Sequence, residues 1–505
     1  MKKVFVVFYL LPLIICSYAC NKNAIAQAPE KPQHPGTEFA SAVIINQRLG
    51  RGINLGNTWE SSWDKKESTP ADFEKIAAKG FTSVRLPIRW EMPERAQFIP
   101  PYTISNTFLN KIKSAVDDAL KNKLHVIINM HHHDSLYARP DELKPMFLAQ
   151  WKQIASFFKA YPDSLLFEVL NEPHGNLDAG RWNTFFAEAL QTIRETNPKR
   201  TVLLGPAEWG GVSALGKLSV PQDEHLILTI HYYNPFHFTH QGASWTAGSG
   251  AWLGTRWRDT ELDRQEVRDD FKAAVEFAKT KNIPVNVGEF GAYSTADMDS
   301  RIKWTRFMAR YFEQQHFSWN YWEFNSGFGI YDPSKNIYHS GLVNALTSDA
   351  MTAPTPVTFI SLYSSNFLNP QADGWKLYNN DASASSTLTI NNGKAVVTIS
   401  SPGTQTWYIQ LMRHNTPIEA GKTYRLSFNA ASDNNRNISL AFQQSSAPWV
   451  VYGSKQLGIT KSEENYQYVF TPANTDAKAN LVFSLGNNGL APVILSAIKL
   501  EEIQF

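Results

Sequence analysis

An α/β fold of the (β/α)8 TIM-barrel type, followed by an all-β, jelly-roll-like sandwich, is what the sequence predicts, and three observations predict it. Between residues 39 and 350, eight short runs rich in β-branched residues alternate with longer amphipathic stretches. Beyond residue 357 the helical period vanishes and apolar residues recur at every second position. No Gly-rich phosphate turn follows an early strand, which removes the main argument for an open doubly wound sheet.

At 505 residues the chain exceeds one ordinary core, so two domains are expected. Its 43% hydrophobic and 19% charged content is that of a folded globular protein. The formal charge is +2, and Lys2 and Lys3 supply it from a segment expected to be removed. No basic face follows, which argues against nucleic acid as a partner. With 15 Trp and 19 Tyr, the composition suits neutral ligands with apolar faces, such as sugar rings, although at least half of those rings must be core.

Taken in order, Lys2 and Lys3 precede an apolar run over 4–15 that is too short for a permanent membrane span. This reads as an export signal. It covers residues 1–26 if cleavage follows Ala24-Ile25-Ala26, or ends at 19 if Ser17-Tyr18-Ala19-Cys20 is a lipoprotein junction carrying a lipid anchor on Cys20. Either way the expected location is extracytoplasmic, secreted or on the outer surface. Cys16 and Cys20 are the only cysteines, so the mature body has no disulfide framework. Residues 27–38 are a polar, Pro-bearing tether.

The barrel domain is expected over 39–350. Its strands are placed at 52–56, 83–88, 125–130, 166–170, 202–205, 226–230, 284–287 and 318–322. Helical patterns between them include 108–121, 145–160, 181–195, 264–281 and 300–315. Residues 351–357, with Ala353-Pro354-Thr355-Pro356, form a linker. The sandwich spans 358–505, with strands at 387–390, 394–399, 423–428, 438–442, 466–470, 480–485 and 493–500.

A parallel barrel carries its active site at the C-terminal ends of its strands, so polar residues there are the ones to inspect. The fourth strand runs into Asn171-Glu172-Pro173 and the seventh into Gly288-Glu289-Phe290. Three strands apart, two glutamates face each other across the mouth, the arrangement that acetal hydrolysis requires. A single such Glu is as readily explained by an ion pair; two at strand ends are not. Arg85 on the second strand is placed to pair with one of them. His131-His132-His133-Asp134 ends the third strand and raises a metal site as an alternative, but consecutive strand residues point to opposite sides, so no metal or cofactor is assigned. His231 and Tyr233 share one side of the sixth strand's end, Trp322 and Glu323 end the eighth, and Trp209 and Trp245 sit in loops where rings stack on sugars.

Several motifs carry a family resemblance. They are Arg51-Gly52-Ile53-Asn54-Leu55-Gly56-Asn57, Val84-Arg85-Leu86-Pro87-Ile88-Arg89-Trp90, Ile128-Asn129-Met130-His131-His132 and Leu170-Asn171-Glu172-Pro173-His174-Gly175. They continue with His231-Tyr232-Tyr233-Asn234-Pro235-Phe236, Thr239-His240-Gln241-Gly242, Gly288-Glu289-Phe290-Gly291 and Tyr321-Trp322-Glu323-Phe324. Through these, residues 50–347 closely resemble glycoside hydrolase family 5, the cellulase-type barrels. The resemblance implies that Glu172 is the acid/base and Glu289 the nucleophile. It implies that Arg85, Asn171, His231 and Tyr233 hold these two and the sugar 2-hydroxyl. It places His131 and His132 at the border of the cleaved site with Trp322 as platform, and makes Asn57, Glu60, Trp209, His240, Trp245 and Glu323 substrate contacts. Trp59 stands where relatives often carry an aliphatic residue, which bears on the cleft's nonreducing side.

The sandwich resembles β-sandwich carbohydrate-binding modules through Thr406-Trp407-Tyr408-Ile409-Gln410-Leu411 and Gly421-Lys422-Thr423-Tyr424-Arg425-Leu426-Ser427-Phe428. Trp375, Trp407, Trp449 and Tyr452 are its candidate platforms; a module that only props the barrel is the rival. The expected activity is a retaining endo-β-1,4-glucanase acting as a monomer on β-glucan. A mannanase or xyloglucanase is the alternative on the same catalytic set, and a non-catalytic surface glycan-binding protein the alternative of another class.

Overall fold

The computed structural model describes residues 39–63, 66–370 and 373–505; the expected export signal and tether lie outside the described residues. The chain divides into two compact units, with the break after Pro354.

In the first unit the order is α1 (Ala42–Leu49), β1 (Arg51–Asn54), α2 (Pro70–Ala78), β2 (Ser83–Leu86), α3 (Asn106–Lys121), β3 (His125–Asn129), α4 (Asp134–Ala138), α5 (Pro140–Phe157), β4 (Leu165–Glu168) and α6 (Ala179–Arg194). It continues with β5 (Val202–Leu204), β6 (Leu226–His231), α7 (Phe236–Thr239), α8 (Glu261–Lys281), β7 (Val285–Phe290), α9 (Met298–Gln314), β8 (Ser318–Tyr321), a small hairpin of β9 (Tyr331–Asp332) and β10 (Ile337–Tyr338), and α10 (Ser340–Thr347). Strands β1 to β8 pair in parallel, in sequence order, and close when β8 pairs β1. This is the expected TIM barrel. Helix α1 covers its lower end, packing Ile45 and Leu49 with Ile127, Leu166, Leu203 and Ile227.

Helix α5 starts at Pro140, five residues before the expected Pro145, which lies inside the helix. Pro140 takes the first helical position, where no N–H is needed; Pro145 gives up one intrahelical bond and the helix continues past it. Strand β7 runs three residues beyond its expected end, to Phe290, and so carries Glu289 within the sheet.

The second unit holds β11 (Thr358–Ser365), β12 (Trp375–Asn379), β13 (Ala384–Asn391), β14 (Lys394–Pro402), β15 (Ile409–Arg413), β16 (Thr423–Ser432), β17 (Arg436–Gln443), β18 (Val451–Ile459), β19 (Glu464–Phe470), β20 (Asn480–Ser484) and β21 (Val493–Gln504). One sheet runs β12-β15-β20-β17-β18 and the other β13-β14-β21-β16-β19, with β11 on β21. Inward side chains of both form one core around Leu426, Phe428, Leu440 and Phe483. Four of these strands, β11, β12, β15 and β18, lie outside the seven expected. Trp375 is buried, with its indole N–H on the Tyr363 hydroxyl at 2.7 Å, so this candidate platform is a core residue; Trp407 and Trp449 are exposed.

Candidate active site

Alternation on β2 turns Arg85 into the barrel, where it is fully buried. Its Nε and Nη2 donate to Glu168 Oε2 and Oε1, each at 2.6 Å, a two-pronged pair that fixes the guanidinium plane. Nη1 donates to Glu289 Oε1 at 2.7 Å and to Asn54 Oδ1 at 2.9 Å, and Nη2 also reaches Asn171 Oδ1 at 2.6 Å. Burial alone disfavours this cation, but the charges of Glu168 and Glu289 outweigh it and hold the guanidinium above its ordinary value. One buried cation therefore balances part of two buried carboxylates.

Glu289 accepts from Arg85 on one oxygen and from the Tyr233 hydroxyl, at 2.9 Å, on the other. Burial, then the charges of Glu289 and Glu172, push the Tyr233 phenol well above its ordinary value, so it serves as a donor. Glu172 lies four residues past the end of β4 and is the more open of the two carboxyls: 22% of its side chain is exposed, against 6% for Glu289. His231 Nδ1 donates to Glu172 Oε1 at 2.8 Å and lies 3.7 Å from Glu289 Oε2. Burial pulls this imidazolium down, yet Glu289 and the hydrogen bond to Glu172 outweigh it and raise it overall. An oxygen of Glu172 and one of Glu289 lie within 4.8 Å of each other.

His131 stacks on Trp322 with ring centroids 5.6 Å apart and planes 8° from parallel. The Asn129 amide is oriented by the N–H of Ile88, at 3.0 Å on its oxygen, so its nitrogen donates to His131 Nδ1 at 3.2 Å. The His131 proton then sits on Nε2, which faces Glu289 Oε1 at 4.0 Å. Burial, reinforced by His132, Arg85 and His231, keeps this ring well below its ordinary value and neutral. His132 meets it edge-on at 4.8 Å. His133 turns the other way, against Glu91 at 2.9 Å, so the three histidines diverge as strand alternation requires. Glu172, His231 and Glu289 do cluster tightly enough to suggest a cation, but the Arg85 guanidinium already occupies Glu289 and repels a second positive charge.

These groups floor a cleft of about 1140 Å³. Asn57, Glu60, His131, His132, Asn171, Trp209, His231, Tyr233, His240, Trp245 and Trp322 all line it. Asn171 has its oxygen engaged by Arg85, which leaves its amide N–H groups for a ligand. Trp209 stacks on His174 at 3.5 Å, and burial lowers His240 to about 4. Arg85 lies beneath the lining. Glu323, expected as a ligand contact, does too: it is fully buried, accepting from Asn57 Nδ2 and Phe328 N, each at 3.3 Å. It steadies Asn57, and burial raises its carboxyl to about 8; burial likewise raises Glu60 to about 7. Trp59 is buried against Phe108 with its N–H on Ser68 Oγ at 3.1 Å, so its ring shapes the core and not the cleft wall. Gly291 is required behind Trp322: a Cβ there would fall 2.1 Å from the Trp322 carbonyl oxygen.

Sequence reasoning missed Glu168, Trp63, Arg89, Asp134, Glu208, Tyr293 and Phe328. A charge closing the apolar run Leu165-Leu166-Phe167 was the available signal for Glu168, since a buried carboxylate demands a cation.

The profile of the cellulases of glycosyl hydrolase family 5 matches residues 47–327, and that of a carbohydrate binding domain matches 361–490. Endoglucanase H of Acetivibrio thermocellus is 35% identical over 58% of this chain, which spans 31% of that relative's length. The endoglucanase Cel5A of Thermotoga maritima is 46% identical, covers 61% of this chain and 100% of its own, and superposes with a TM-score of 0.59. Structures of that Cel5A have been solved with mannotriose and with cellobiose. Among the described residues no helix is long and apolar enough to cross a membrane.

Proposed function

The chain belongs to glycosyl hydrolase family 5, and from that premise we propose that it is a retaining endo-β-1,4-glucanase that cleaves β-linked glucan by double displacement. The observation that carries this reading is the approach of Glu172 and Glu289 to within 4.8 Å, oxygen to oxygen. Retaining enzymes hold their carboxyls about 5–5.5 Å apart; inverting ones keep them at least about 6.5 Å apart to admit a water.

In the first step a Glu289 oxygen attacks the anomeric carbon, the glycosidic C–O bond breaks, and Glu172 gives its proton to the departing oxygen. In the second, Glu172 takes a proton from water as that water's oxygen attacks the same carbon and the glycosyl ester on Glu289 breaks. Arg85 and Tyr233 donate to the two oxygens of Glu289 and keep it aimed. His231, between the two carboxyls, lies 2.8 Å from Glu172 and 3.7 Å from Glu289 and fixes their relative placement. Neutral His131, stacked on Trp322, offers Nε2–H to a sugar hydroxyl.

Mannan is the second substrate reading, favoured by the mannotriose complex of the Thermotoga maritima Cel5A. The carbohydrate binding domain supports attachment to polysaccharide, with Trp407 and Trp449 exposed for that purpose. The export signal supports an extracytoplasmic location. The test is a product profile on carboxymethylcellulose, glucomannan, xyloglucan and mixed-linkage glucan, with the first-formed anomer read by NMR. Random shortening of glucan with a β-anomeric product is expected; an α-anomeric product overturns the mechanism. Glu289→Ala abolishes turnover while chelators leave the wild type unaffected. Glu172→Gln lowers kcat on polysaccharide by roughly 10²–10⁴-fold; on aryl glycosides, whose leaving group needs no proton, it spares kcat/KM while kcat still falls, because hydrolysis of the ester keeps its need for the base.

A further inference from the structure

Trp63 has no part in the machinery described so far. It follows β1, lines the cleft, and leaves 65% of its surface in water. The neighbouring Trp59 is buried. Two tryptophans four residues apart thus have opposite fates, and packing explains only one of them. An indole held open at a cleft wall presents a flat apolar face and has the chemistry to stack on a pyranose ring.

Its place around the barrel says which ring. With the strands closed in the order β1 to β8, the loop after β1 is diametrically opposite the loop after β5, which carries Trp209. Glu172, the proton donor to the leaving group, follows β4 and lies on the Trp209 half. Trp322 follows β8, next to β1, and lies on the Trp63 half; His131 follows β3, midway between the two loops, and is tied to the Trp63 side by its ring contacts. A chain of ring contacts leads outward from the nucleophile: His131 lies 4.0 Å from Glu289, His132 is edge-on to His131 at 4.8 Å, and Trp63 is tilted against His132 at 6.1 Å. Polar groups accompany it. Arg89 donates to Asp134 at 2.9 Å, both line the cleft, and both act electrostatically on His132. Stacking face and charged pair together match a neutral ring edged with hydroxyls.

We propose that Trp63, with the Arg89–Asp134 pair that acts on the same His132, forms a distal glycone subsite, holding a sugar ring two places beyond the one held by Trp322 and His131, past the reach of a disaccharide. The subsite rests on the hydrolase reading above and adds to it a preference for long chains. The full chain is assayed on whichever of cellohexaose and mannohexaose the wild type cleaves, and on the matching aryl disaccharide, as wild type, Trp63→Ala and Trp63→Phe. The ratio of kcat/KM on the hexaose to that on the aryl disaccharide falls about tenfold in Trp63→Ala, or about 1.4 kcal/mol, and largely recovers in Trp63→Phe. The cut in reducing-end-labelled hexaose also moves, because the distal ring is no longer anchored. An unchanged ratio with an unchanged cut, in a variant whose Tm matches the wild type, overturns the subsite and leaves the hydrolase reading standing. A wild type that cleaves neither probe overturns both.

Discussion

Glu323 and Glu60 are buried carboxyls beside the cleft that holds Glu172 and Glu289. Burial raises them to about 8 and about 7 from an ordinary 4.5, so the folded state binds their protons across a pH range in which the unfolded chain releases them. The stability this brings is fully present below about pH 4.5 and is lost as pH rises through 7 and 8. Buried His125 and His240, both lowered to about 4 from 6.5, act in the opposite sense: their contribution is present above pH 6.5 and is lost as pH falls toward 4. Glu323→Gln removes one proton-retaining group, so Tm measured at pH 8 rises relative to wild type while Tm at pH 5 moves little; a parallel loss at both values shows that the hydrogen bonds to Asn57 and Phe328 matter more than the proton. At this scale the sequence was most legible where a polar residue lies near the C-terminal end of a strand, as with Arg85, Glu172, His231 and Glu289. It was least legible where a side chain serves another side chain, as Glu168 serves Arg85 and Glu323 serves Asn57, because such partners are set by the closed barrel and not by local pattern. Trp63 was hidden for a different reason: nothing in its neighbours distinguishes it from Trp59.

Elements were recognised in proportion to how evenly they are buried. All eight barrel strands are buried along nearly their whole length, and each was placed to within a few residues. In the sandwich, β12 and β18 are the edges of one sheet and β11 flanks the other off its main path; their side chains are mostly exposed, so the period-two signal is faint. Central β15 escaped because the Trp407-Tyr408 turn before it blurs the alternation. Between α5 and β4, fully buried Arg200 donates to the carbonyls of Phe158, Tyr161, Pro162 and Leu165, closing a corner where a helix ends and a strand begins. Burial lowers this guanidinium to about 10, still charged at neutral pH. Arg200→Met removes all four donations, leaving the Phe158 and Pro162 carbonyls only the backbone N–H groups of Tyr161 and Leu165, and destabilises the barrel by about 3 kcal/mol, read as a lower urea midpoint with an unchanged m-value.

The whole molecule joins two units, each with its own hydrophobic core. A chain ending at Pro354 is expected to hydrolyse soluble glucan at the full-length rate while its retention on insoluble cellulose falls, measured by pull-down; equal retention would assign the sandwich a supporting role instead. Both domains were visible in the sequence as a change of period, since a parallel barrel and an antiparallel sandwich impose different repeats on the chain. The buried trio of Arg85, Glu168 and Glu289 has a further consequence under the proposed chemistry. Each catalytic cycle neutralises Glu289 by esterifying it and then restores its charge. Glu168 remains throughout as a spectator anion, so the guanidinium is never stranded in a low-dielectric interior and no distant group must swing in to compensate. A floor that keeps the same counterion through both half-reactions is free to stay rigid.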